Sequence, residues 1–177
     1  MRRIVVGITS LEQHIEAISA SPERYRPRCC PHCGLKILRR HGYYYRKSDR
    51  RREHASLNPV PICRYLCSGC HHTCSRLPEC IAARRWYDAS LQQKALKPRL
   101  KGCSEGLRAD GGGPDERTVD RWWQWLKARS DLFEFHLRAR FAELGRAAGF
   151  DAFWRQVFAS LGLARAMAIL DHELSVP

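Results

Sequence analysis

Two short cysteine pairs, Cys30-Pro31-His32-Cys33 and Cys67-Ser68-Gly69-Cys70, constrain this chain more than any other feature. A two-residue gap lets both sulfurs of a pair converge on one ion together with the amides of the turn. Two such pairs complete a closed tetrahedral Zn²⁺ site. Cys30, Cys33, Cys67 and Cys70 are therefore the expected ligands of a structural Zn²⁺. The 33 residues between Cys33 and Cys67 exceed the roughly 15 to 20 of the common pattern, an excess that a long charged hairpin absorbs. Cys29, Cys74, His71 and His72 lie close enough in sequence to substitute as ligands. Four thiolates leave no open position for water, which argues against catalytic zinc. Cys30-Pro31-His32-Cys33 also has the form of a thioredoxin-type redox pair. That motif opens a helix in a βαβ unit, whereas a strand-like basic segment follows here.

Nine cysteines in 177 residues would also suit a secreted disulfide scaffold. The opening Met1-Arg2-Arg3-Ile4-Val5-Val6-Gly7-Ile8 carries too short an apolar run for a signal peptide, and no run approaches a membrane span. The expectation is a cytoplasmic chain with no membrane contact, whose reduced thiols hold metal.

The net charge of +13 points to a polyanionic partner and says nothing about fold. From Arg24 to Arg52, eleven Lys or Arg stand against one acid, Asp49. Such a run can be a solvated surface. Beside paired cysteine knuckles, and with Tyr43, Tyr44 and Tyr45 interleaved, it reads as a nucleic-acid contact made by Arg39, Arg40, Arg46, Lys47, Arg50, Arg51 and Arg52.

The fold class expected is α+β, a small zinc-ribbon β module followed by helices. Residues 1–28 read as a short strand or arm, a helix capped by Ser10 with Leu11, Ile15 and Ile18 on one side, and a linker. Residues 29–80 form the ribbon, with strand signals at Ile37-Leu38, Tyr43 to Tyr45, and Pro61 to Leu66. Too small to bury enough surface, it would take much of its folding energy from metal.

Residues 86–130 suggest a helix-turn-helix. A first helix begins near Asp88 or Ser90 and is interrupted by Pro98. A short second helix runs from Ser104 to Asp110, and Gly111-Gly112-Gly113 make a turn. A third starts at Pro114, with Asp115 and Glu116 in its first turn. Val119, Trp122, Trp123 and Leu126 give that third helix its apolar stripe, and Trp125 falls off it. The other side offers Arg117, Thr118, Arg121 and Gln124, of which the arginines suit guanine edges and Thr118 and Gln124 phosphate or adenine. Residues 131–177 carry two more helices, broken near Gly145 to Gly149, the last with a broad face of Phe150, Phe153, Trp154, Val157, Phe158 and Leu161.

Several segments together carry a resemblance: Cys-Pro-His-Cys-Gly at 30–34, His41-Gly42, and Arg64-Tyr65-Leu66-Cys67-Ser68-Gly69-Cys70. Thr73-Cys74-Ser75-Arg76-Leu77-Pro78 and Thr118-Val119-Asp120-Arg121-Trp122 complete it. The arrangement resembles the zinc-ribbon plus helix-turn-helix region of bacterial insertion-sequence proteins and transposases, over about residues 22–130. The resemblance implies binding to transposon DNA, with Cys30, Cys33, Cys67 and Cys70 as ligands and Arg117, Thr118 and Arg121 as readers. A transposase of the common type adds an RNase H-like domain with three metal-binding carboxylates. Here the acids after Leu132 (Glu134, Glu143, Asp151, Asp171 and Glu173) lie in helical sequence with no strands to array them.

The expected function is therefore non-enzymatic: a transposon-associated accessory or regulatory factor gripping double-stranded DNA. The C-terminal helices would meet a transposase or a second copy of the chain. The alternatives are a zinc-ribbon module for RNA or an acidic protein, and a divergent transposase or nuclease subunit.

Overall fold

The computed structural model describes residues 3–47, 57–82, 87–103 and 113–174. Arg50, Arg51, Arg52 and the expected helix from Ser104 to Asp110 lie outside the described residues. The chain is an α+β fold with its strands first and most of its helices after them.

Strand β1 (Ile4–Val5) leads to helix α1 (Leu11–Ala20), where the Ser10 hydroxyl accepts from the Gln13 amide and caps the first turn. The buried side of α1 is Leu11, His14 and Ile18, with Ile15 only half-buried. His14 is admitted to the interior because both ring nitrogens are bonded. Nδ1 lies 2.6 Å from the Tyr25 hydroxyl and Nε2 2.9 Å from the Pro61 carbonyl oxygen. A carbonyl can only accept, so Nε2 carries the proton and Nδ1 accepts from tyrosine, the neutral tautomer.

Strands β2 (Leu38–Arg46), β3 (Val60–Cys67) and β4 (Thr73–Cys74) form an antiparallel sheet in the order β2-β3-β4. Pairing runs from Leu38 opposite Cys67 to Arg46 opposite Val60, with a register shift between Arg40 and Tyr43. Gly42 stands in the shift at φ +69°, a left-handed value that glycine adopts without penalty, so the chain makes a bulge there. Strand β5 (Leu77–Pro78) pairs in parallel with β1, Ile4 opposite Leu77. The N-terminal segment, expected as a short strand or arm, is thus a strand bound to the end of the ribbon. Val5 and Ile8 enter the same core as Tyr25, Leu38, Cys63 and Tyr65.

Helix α2 (Ala89–Leu100) begins on an Asp88 cap and passes through Pro98, which was expected to interrupt it. Proline in a helix interior costs about 3 kcal/mol. Here it falls in the last turn, and burying Leu100 two residues later returns about 1.5 to 3 kcal/mol. Helix α3 (Glu116–Arg138) starts after Asp115, whose carboxylate accepts from the Thr118 amide at 2.6 Å. Asp115 is the cap and not a first-turn residue as expected. No Gly or Pro occurs between Glu116 and Arg138, so α3 continues across the expected boundary at 130/131.

The expected last helix is two: α4 (Gly149–Ser160) and α5 (Leu163–Leu174), separated at Leu161-Gly162, where Gly162 has φ +76°. The Phe150 to Leu161 face is not an open interface. Phe153, Trp154, Val157 and Phe158 are buried against Leu100, Trp122, Leu126, Phe133 and Leu170 in one helical core. Arg138 closes it off, bonding Glu134 and the carbonyls of Leu144 and Ala147 while lying over the Phe153 ring.

Candidate metal centre and basic surface

The two knuckles fold alike because their hydrogen bonds are equivalent. The Cys30 amide donates to the Leu35 carbonyl and the Gly34 amide returns to the Cys30 carbonyl, at 2.8 and 2.9 Å. The Cys67 amide donates to His72 and the His71 amide returns to Cys67, both at 3.0 Å. The residue after each second cysteine is left-handed, Gly34 at φ +75° and His71 at φ +58°. His71 serves as a turn residue, and its ring is exposed. The second knuckle packs under the first: a Cβ at Gly69 would stand 2.7 Å from the Leu35 side chain, which would have to shift.

All four sulfurs of Cys30, Cys33, Cys67 and Cys70 lie within 4.8 Å of one another. Cys30 Sγ to Cys70 Sγ and Cys33 Sγ to Cys67 Sγ are both 3.5 Å. A tetrahedral ion with thiolates at about 2.3 Å requires sulfur-to-sulfur edges of about 3.8 Å, so the four residues fit such an ion. Among the described residues this is the one group of three or more His, Cys, Asp or Glu placed to hold a metal. The rival ligands are placed otherwise. Cys74 packs in the ribbon core, Cys29 is half-buried beside the site, and His72 bonds the Cys70 carbonyl while its ring stacks on His32.

The protonation pattern shows what the ion must displace. Amides of Cys70 and Gly69 with the neighbouring thiols lower the Cys67 thiol to about 6. At Cys70 the His72 amide pulls down, but burial and the sulfurs of Cys30, Cys33 and Cys67 outweigh it, pushing the thiol up to about 12. Without metal the group therefore holds protons at neutral pH, and a bound dication drives them off.

Of the expected DNA contacts on the ribbon, Arg39, Arg40 and Lys47 are exposed. The Arg40 guanidinium lies over the Tyr43 ring. Arg46 is different: it is half-buried and donates to the Ala82 carbonyl at 2.6 Å, and burial lowers its pKa. Glu23, Arg26, Arg28 and Lys36 line a cleft of about 350 Å³, in which Glu23 pairs with Arg26 at 3.0 Å. No single residue of the cleft marks it in the sequence; it arises where the chain before the first knuckle folds beside the start of β2.

On α3, Arg117, Arg121 and Gln124 are exposed and Thr118 is half-buried. Arg121 donates to the Thr118 hydroxyl at 2.8 Å. Asp120 on the same helix is held by Arg99 of α2 at 2.5 Å, an inter-helix pair that sequence spacing does not reveal. Trp122 is buried, Trp123 is half-buried against Phe150, and Trp125 stands edge-on to Phe133. Among the described residues no helix is long and apolar enough to cross a membrane.

A family model described as a domain of unknown function, DUF6431, matches residues 30–122, from the first cysteine of the tetrad to the buried Trp122 of α3. No curated protein and no solved structure matches the chain. Since the matched segment holds all four tetrad cysteines and covers more than half of the sequence, the chain belongs to the DUF6431 family.

Proposed function

We propose that this protein is a non-enzymatic DNA-binding factor, an accessory or regulatory component of a mobile element. In this reading a Zn²⁺-stapled ribbon and helix α3 grip duplex DNA together. The observation that carries it is the exposed side of the first half of α3. Arg117, Arg121 and Gln124 project there, about opposite the stripe of Val119, Trp122 and Leu126 that fixes the helix in its core. Those are residue types that bond base edges in a major groove, and the bond to Thr118 holds the Arg121 guanidinium near the helix start.

Zn²⁺ suits four thiolates at tetrahedral spacing, and with its coordination filled its part is structural. Arg39, Arg40, Lys47 and the cations of the cleft by the first knuckle supply sequence-independent attraction to phosphate.

Binding-site selection on random duplexes, followed by anisotropy titrations over a salt series, tests this reading. Affinity should fall steeply with salt and favour the selected site over random duplex. Arg121→Ala should cost about 1 to 3 kcal/mol at one base position. A loss uniform across sequences would make Arg121 a phosphate contact, and equal affinity for all duplexes would remove the sequence-specific reading.

A further inference from the structure

The buried positions of α3 are Val119, Trp122, Leu126, Ser130, Phe133 and Leu137. At about 100° per residue, Ala128, Leu132, Phe135 and Ala139 fall on the opposite side, and all four are exposed. Leu132 is 46% exposed and Phe135 70%, high for residues of that size. Their 4-3-4 spacing is the repeat by which one helix packs along another. The side of α3 that carries Arg117, Arg121 and Gln124 in its first half is therefore apolar in its second.

The flanks of this stripe differ in charge. Asp131 borders one side, where Arg138 two turns on is already paired with Glu134, and Arg129 and the half-buried His136 border the other. Neither Asp131 nor Arg129 is engaged in an ion pair among the described residues.

We infer that the stripe is covered by a second copy of this chain, with the two α3 helices side by side and parallel. Two-fold pairing sets like layers together, leucine on leucine and phenylalanine on phenylalanine. The parallel arrangement places Asp131 against the partner's His136, five positions further on. An antiparallel arrangement would instead turn Arg129 toward the partner's His136. The stripe runs for about 18 Å of helix, too short to approach the roughly 800 Å² per partner of a standard stable interface. The pair is consequently weak and reversible.

Sedimentation equilibrium of the full-length, zinc-loaded protein, without DNA, tests the pairing separately from the DNA reading. Over about 1 µM to 1 mM, the protein should pass reversibly from monomer to dimer. Phe135→Asp should weaken the dimer at least about tenfold with zinc content and thermal midpoint unchanged, because the side chain is exposed. Should that variant lose helical content, Leu132→Lys carries the same test. Asp131→Arg should weaken the dimer, and adding His136→Asp should restore it. A protein monomeric throughout, or a dimer indifferent to both apolar substitutions, overturns the proposal. Failure of the double variant to recover overturns the parallel form.

Discussion

His14 shows how a single side chain can tie local structure to solution behaviour. Burial lowers its pKa from the usual 6.5, partly opposed by the bond to the Pro61 carbonyl. A base whose folded pKa is depressed binds fewer protons folded than unfolded, so stability rises with pH wherever the unfolded chain is still protonated. The contribution is therefore complete above pH 6.5 and declines as pH falls from there toward the folded pKa, by about 1.4 kcal/mol for each unit of displacement. Urea unfolding at pH 7.5 and 5.5 of wild type and His14→Gln reads this directly. The wild type should lose more stability over that interval; an equal loss in both proteins would show that His14 is not held neutral. His14 was legible as a helical residue but not as a buried one. Its partners Tyr25 and Pro61 come from separate segments, and only their convergence satisfies both ring nitrogens.

At the scale of the element, the ribbon and the helices are built around different cores. The ribbon packs two small apolar clusters, Val5, Ile8, Ile18 and Leu38 with Cys30, Cys63, Cys67 and Cys74, and Leu11, Val60, Ile62 and Ile81 with Cys80, while the helical core is one larger cluster rich in Leu, Phe and Trp. A structural Zn²⁺ site supplies an apparent 10 to 16 kcal/mol, roughly, at neutral pH, and an ion held by the cysteine tetrad would add this at the end of the sheet where Leu38 pairs with Cys67. Cys67→Ser, or chelation of the wild type, should release the metal and expose the β2 and β3 amides to rapid hydrogen exchange. Emission from Trp122, Trp123, Trp125 and Trp154 should change little, since all four belong to or pack against the helical core. Retained stoichiometric zinc in Cys67→Ser would refute the ligand assignment.

Across the whole molecule, the two parts are fastened at points remote in sequence. The buried Asp171 carboxylate of α5 accepts from the amides of Arg3 and Ile4 at the start of β1, at 2.5 and 3.0 Å. Glu79 accepts from the Gly7 amide and faces Arg165 of α5 at 3.8 Å. Asp171→Ala should cost about 1 to 3 kcal/mol and speed exchange at the Arg3 and Ile4 amides while zinc content stays the same; unchanged exchange there would show that α5 does not hold β1.

In the sequence, Asp171 was one more carboxylate in a helix, without a visible partner 168 positions away. The α+β order, the α3 stripe and the cysteine tetrad were legible because each rests on local spacing: a two-residue gap for a knuckle, a 3.6-residue period for a helix face. The pairing of β1 with β5, the bond from Arg46 to the Ala82 carbonyl, the Arg99–Asp120 ion pair and the Asp171 latch were decided only by tertiary structure. Each satisfies a buried or charged group with a partner that no local period can specify.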